Sequence, residues 1–180
     1  MLSKQEKEIL LEMARKAIMA YPEPYLPDET KITAVMKEKR GVFVSLHLGK
    51  SLRGCIGYIL PVKQLYQAVI DNAVNAAYRD SRFPEPTKEE LRKMTIEISV
   101  LTVPEKVSFS SPEELLKKLD SSKGVIIEKG LYGATFLPQV WEELPEKEEF
   151  LGNLCLKAGL MPEDWKECKV SFYTVECFSG

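Results

Sequence analysis

Histidine is nearly missing from this chain: His47 is the only one among 180 residues. The four cysteines, Cys55, Cys155, Cys168 and Cys177, are scattered, and none sits in a Cys-x-x-Cys pair. A metal site built from Cys and His is therefore not expected. No apolar run approaches the roughly 20 residues that cross a bilayer. The first residues, Met1-Leu2-Ser3-Lys4-Gln5-Glu6, become charged at once, which does not fit a signal peptide. The expectation is a cytoplasmic protein with free thiols and no membrane partner. There is no long basic run either. Net charge is -2, and the best cationic cluster, Lys37-Glu38-Lys39-Arg40, holds an acid within it. A nucleic-acid partner, which calls for a strong positive patch, is not expected. Asparagine (3) and glutamine (4) are scarce beside 22 Glu and 19 Lys, a balance reported for hyperthermophilic proteomes.

What is present reads as an ordinary globular composition, with 44% hydrophobic and 29% charged residues. Ser3 and Glu6 form a capping box ahead of Ile9, Leu10, Met13, Ala14, Ala17 and Ile18, which recur at helical spacing; a helix is predicted over about 4–20. Three prolines between Pro22 and Pro27 end it. Val42, Val44, Leu46 and Leu48 alternate with Phe43, Ser45 and His47. A tight connection at Gly49-Lys50-Ser51 leads to a second run, Cys55 to Leu60, so a β-hairpin is predicted. Pro61 is read as the start of a helix of about 18 residues rich in alanine, broken at Asp80-Ser81-Arg82-Phe83-Pro84. Thr87 and Glu90 cap a short helix, Thr95 to Val103 alternates as a strand, and Ser111 caps a helix to about Asp120. A second hairpin is predicted around Glu128-Lys129-Gly130, a helix ending at Gly159, and a closing strand from Lys169 to Phe178. Hairpins and separated helices without a βαβ rhythm predict an α+β fold of antiparallel sheets flanked by helices, in two lobes, with a smaller lobe over 105–144.

Gly49-Lys50-Ser51 imitates the end of a phosphate-binding loop. That motif needs a glycine where Val44 stands, and a strand leading into a helix, so it is rejected. Cys55 is the stronger candidate. Gly54 and Gly57 flank it, and glycine in a strand marks a bulge or the close approach of a backbone or ligand. Arg53 beside the thiol suits an anionic group. Against this stands the blander reading of a small apolar residue in a crowded sheet. His47 invites a Cys-His dyad, and alternation puts Cys55 on the face of Ser45 and His47, but a diagonal cross-strand neighbour lies about 7–8 Å away, beyond hydrogen-bond reach, and a solvated histidine is expected instead. Asp80 and Arg82 follow a helix that should return its end to the hairpin. They are read evenly as ligand-binding residues or as an Asp-stabilised turn. Glu97 points away from Ile96 and Ile98 and is expected to face solvent. Leu137-Pro138-Gln139-Val140-Trp141 is read as packing within its own lobe.

Taken together, Leu52-Arg53-Gly54-Cys55-Ile56-Gly57, Asp80-Ser81-Arg82-Phe83-Pro84, Ile98-Ser99-Val100-Leu101 and Ala134-Thr135-Phe136-Leu137-Pro138-Gln139-Val140 resemble, in order, the motifs of the AMMECR-one domain family. The resemblance runs over nearly the whole chain. It implies an α+β domain of two lobes with antiparallel sheets, and a family without an established reaction. It also implies that some bacterial relatives are fused to dioxygenase-like and radical S-adenosylmethionine domains, which suits a metabolic or modification pathway. The family residues carried over are Arg53, Gly54, Cys55, Gly57, Asp80 and Arg82; His47 and Glu97 lie outside the pattern. The leading expectation is a small-molecule or modifying enzyme, or an enzyme accessory domain, with a cleft around Leu52–Gly57. In it Arg53 holds an anion, Cys55 meets the substrate, and Asp80 and Arg82 complete the wall. The alternative is a non-catalytic module that receives a protein segment on the same surface. The sequence names no cofactor and no oligomeric state.

Overall fold

The computed structural model describes residues 1–180. The chain divides into two compact units, residues 1–101 with 176–180, and residues 102–175. The smaller-lobe expectation of 105–144 is corrected by the topology. Strand β7 (Lys169–Tyr173) lies between β4 (Glu105–Val107) and β5 (Gly124–Lys129), with β6 (Tyr132–Phe136) beyond β5. A sheet whose inner strand comes from residue 169 onward cannot close at 144. The predicted closing strand over 169–178 is also two strands. Beyond Thr174, β8 (Val175–Ser179) joins the other sheet.

In the first unit the sheet order is β2 (Ser51–Tyr58), β1 (Gly41–Leu48), β3 (Thr95–Leu101), β8, with β2 at a free edge. The helices α1 (Lys4–Ala20) and α2 (Leu65–Tyr78) pack on one another and on this sheet. Alternation decides which face they cover. Val42, Val44 and Leu46 of β1 and Ile96 and Ile98 of β3 are buried against Leu10, Ala14 and Ile18 of α1 and Leu65, Val69 and Ala73 of α2. Each large aliphatic side chain so buried contributes about 1.5–3 kcal/mol. The predicted capping box of α1 forms, with Ser3 Oγ accepting from Glu6 N–H and Glu6 returning to the Ser3 N–H.

Helix α2 starts four residues later than predicted. Pro61 to Gln64 remain a loop because the Leu65 N–H goes to the Glu38 carbonyl at 2.8 Å, and Lys39 bridges to Gln64. A short helix α3 (Lys88–Lys93), capped by Thr87 and Glu90 as predicted, precedes β3. In the second unit, α4 (Pro112–Lys118) and α5 (Lys147–Lys157) border a core of Leu115, Val125, Ile127, Phe150, Leu154 and Val170. Trp141 is buried there, stacked on Phe150 at 3.7 Å, which makes the Leu137–Trp141 stretch internal packing. No helix is long and apolar enough to cross a membrane.

Candidate functional site

The site is built on the free edge of β2. Phe43 lies opposite Gly57, Val44 opposite Ile56, Ser45 opposite Cys55 and Leu46 opposite Gly54. Cys55 therefore shares a face with Ser45, while Ile56 and Tyr58 share the helix-packed face, as alternation predicts. The Ser45 hydroxyl donates to Cys55 Sγ at 3.2 Å. Glu97 of β3 stands on the other side of Ser45, so Cys55, Ser45 and Glu97 form one polar row across three strands. Glu97 is half-buried rather than solvent-facing. His47 is also half-buried, and its Nε2 is buried without a partner, which corrects the expected solvated histidine. It pairs across the sheet with Leu52 and Thr95; the hydroxyl of Ser45, not an imidazole, is the thiol's neighbour.

The two glycines have separate steric reasons. A Cβ on Gly54 would lie 2.0 Å from the carbonyl oxygen of Ala76, so only glycine lets the α2 backbone approach β2 so closely. A Cβ on Gly57 would meet the Phe43 ring and the Val42 carbonyl oxygen, each at 2.4 Å. Both positions are shaped by the protein's own packing. The register shifts between Leu46 and His47, where Gly54 and Leu52 are the successive partners, and Arg53 is the extra residue of this bulge. Arg53 turns to Glu90, with Nη2 donating to the carboxylate at 3.2 Å, and its Nε is buried without a partner.

Asp80 and Arg82 act on the peptide of Cys55. β2 is an edge strand, and in the alternation along it Cys55 is a residue whose N–H and C=O point away from β1; an unpaired edge invites foreign strands. Here the Cys55 N–H donates to Asp80 Oδ2 at 2.9 Å and Arg82 Nη2 donates to the Cys55 carbonyl at 3.1 Å. The two side chains hold each other through Arg82 Nε to Asp80 Oδ1 at 2.9 Å and Nη2 to Oδ2 at 2.7 Å, and the Arg82 N–H adds a third bond to Oδ1 at 3.2 Å. One carboxylate and one guanidinium thus replace the acceptor and donor of a missing neighbouring strand. The Asp80 side chain is 4% exposed and that of Arg82 58%. Hydrogen bonds from Arg82 hold the Asp80 carboxyl far below the usual carboxylate range, overcoming the opposite pull of burial. The same bonds raise the pKa of Arg82.

The structure therefore brings Cys55, Asp80 and Arg82 together and sends Arg53 to Glu90. Sequence reasoning placed Ser45 on the right face but gave it no role, and it saw Glu90 only as a capping residue. Alternation alone carried the signal for Ser45. The Arg53 to Glu90 pair joins residues 37 apart and has no local signature.

Relatives confirm the resemblance. A protein of Methanosarcina barkeri is 40% identical over 188 residues, covering 100% of this chain and 90% of its own length. One from Thermococcus gammatolerans is 42% identical, covering 95% of this chain and 88% of its own. The crystal structure of an uncharacterised protein from Pyrococcus horikoshii is 38% identical, with a TM-score of 0.83 over 96% of this chain and 90% of that one. The AMMECR1 family model matches residues 11–178, and the chain belongs to the AMMECR1 family.

Proposed function

We propose that the β2 edge binds a small molecule bearing an anionic group, and that the protein is a small-molecule or modifying enzyme, or the accessory domain of one. The observation that carries this reading is the state of Arg82. A guanidinium has five N–H donors. Three are used on Asp80 and the Cys55 carbonyl, and the side chain remains 58% exposed. Both N–H groups of Nη1 are left to donate charge-assisted hydrogen bonds to a carboxylate or phosphate oxygen. The half-buried thiol of Cys55 lies on the same residue that Arg82 grips, so a molecule held by Nη1 meets the thiol. Cys55 contacts or attacks the substrate. Asp80 fixes the guanidinium, Glu90 takes up the charge of Arg53, and Gly54 and Gly57 set the path of the strand. A cytoplasmic setting, where thiols stay reduced, suits this reading.

The alternative, a non-catalytic module that receives a protein segment, is favoured by three exposed apolar residues around the strand: Leu52 (37%), Leu60 (58%) and Val62 (55%). The test is a screen of polar metabolites for protection of Cys55 from iodoacetamide, read by mass spectrometry. The expected hit is an anionic metabolite that slows alkylation in the native protein and fails to do so in Arg82→Lys. Protection by extended peptides alone would select the alternative, and tight metabolite binding with unchanged alkylation would remove the thiol from the site.

A further inference from the structure

A recess lies in the first unit, on the helix-packed side of β2. Its volume is about 420 Å³, and its floor is the half-buried stripe of α2 with Asp71, Val74 and Asn75 and, just past the helix, the exposed Arg79. Tyr21, Tyr25 and Tyr58 stand around it, with Lys63. Small-molecule sites commonly occupy about 300–1,000 Å³ and combine flat apolar walls with a few convergent polar groups. The volume lies in that range, and the tyrosine rings stand among convergent polar groups. Tyr21 is held by stacking on Tyr78 at 4.2 Å, so that wall is fixed before anything binds. Lys63 is already paired with Asp71. Arg79 lines the recess with no carboxylate of its unit in salt-bridge reach, and the Asn75 amide and the Tyr25 and Tyr58 hydroxyls lack side-chain partners in the unit. From Asp71 to Arg79 the stripe is about 12 Å long at 1.5 Å per residue, the length of one ring with a short acidic arm. Glu23 in the wall opposes a second negative charge.

We propose that this recess binds an aromatic monocarboxylate, its ring among the tyrosines and its carboxylate on Arg79. Tyr58 points to the helix-packed face of β2 and Cys55 to the opposite face, so this site does not depend on the role of the thiol. The test is an NMR titration of the isotope-labelled protein with 4-hydroxyphenylacetate, its neutral amide, and adenosine monophosphate. The carboxylate is expected to give saturable shifts at residues 21–25, Tyr58, Asn75 and Arg79, and to bind at least about tenfold more tightly than the amide, as expected for one charge-assisted hydrogen bond. Arg79→Gln, at an exposed position, should keep a dispersed spectrum and weaken the carboxylate by a similar factor. Asn75→Trp, which fills the recess and leaves Arg79 in place, should abolish binding. Absence of saturable shifts, shifts centred elsewhere, or unchanged affinity in either variant would overturn the proposal. Tighter binding of the nucleotide than of the carboxylate would overturn the monocarboxylate class.

Discussion

Replacing Asp80 by Asn isolates what the edge clamp contributes. Asparagine keeps the shape and can still accept the Cys55 N–H, but it turns two charge-assisted bonds from Arg82, at 2.9 and 2.7 Å, into weaker or mismatched ones. Charge-assisted hydrogen bonds contribute about 1.5–3 kcal/mol each. Arg82 is 58% exposed, so its guanidinium regains water when released, and the larger penalty of a stranded buried charge does not apply. The expected loss is about 2–3 kcal/mol. Trp141 and Trp165 both lie in the second unit, so the first unit should be followed in urea by circular dichroism and by hydrogen exchange of β1 and α2. The folded carboxyl titrates below its unfolded value of about 3.9, so its contribution is complete above that pH and fades as pH falls toward the folded pKa. The gap between wild type and variant should hold steady from about pH 7 to 5 and narrow below about pH 4. A variant within about 0.5 kcal/mol of wild type at neutral pH would refute the clamp.

Other outcomes follow from the same geometry. Gly54→Ala places a methyl group 2.0 Å from a backbone oxygen of α2 and should lower stability by about 3 kcal/mol or more, or prevent folding. Gly130→Ala, at φ 63 with open space around it, should lose only about 1–2 kcal/mol of left-handed strain in the same urea titration. Thiol counting after denaturation without reductant should find four groups. In the native protein Cys55 should react before Cys155 and Cys168, which are buried and whose thiols burial pushes up, that of Cys155 to about 12. Equal rates at all four would show that the second core opens readily.

Local rules made the hairpin legible. Period-two alternation fixed the face of Cys55, because a one-residue slip would have thrown Val42 and Val44 into solvent. The return of α2 to the hairpin also followed, although Pro61 misled about its start: the first turn was decided by the bond from Leu65 N–H to Glu38, which no propensity at Pro61 records. Nonlocal pairings stayed hidden. The run from Lys169 to Phe178 looks like one strand because nothing in its alternation shows that it changes sheets at Thr174. Arg53 was read as free to hold an anion because Glu90 is distant in sequence, whereas the glycines were read as marking the close approach of a backbone or a ligand, and at Gly54 it is the backbone of Ala76 that approaches.

The central claim, that Cys55 belongs to a site and not merely to the packing of β2, is tested most directly by Cys55→Ser. Serine keeps the size of the group and can share the Ser45 hydroxyl as a hydrogen-bond partner, so the unfolding free energy should fall by less than about 1 kcal/mol. The paired measurement is urea unfolding of the variant beside affinity for, or turnover of, the metabolite found by the alkylation screen. The account predicts near-native stability with binding or turnover lost. A Cys55→Ser protein that is clearly destabilised yet keeps full affinity and activity would contradict it and make the glycine-flanked cysteine part of the architecture.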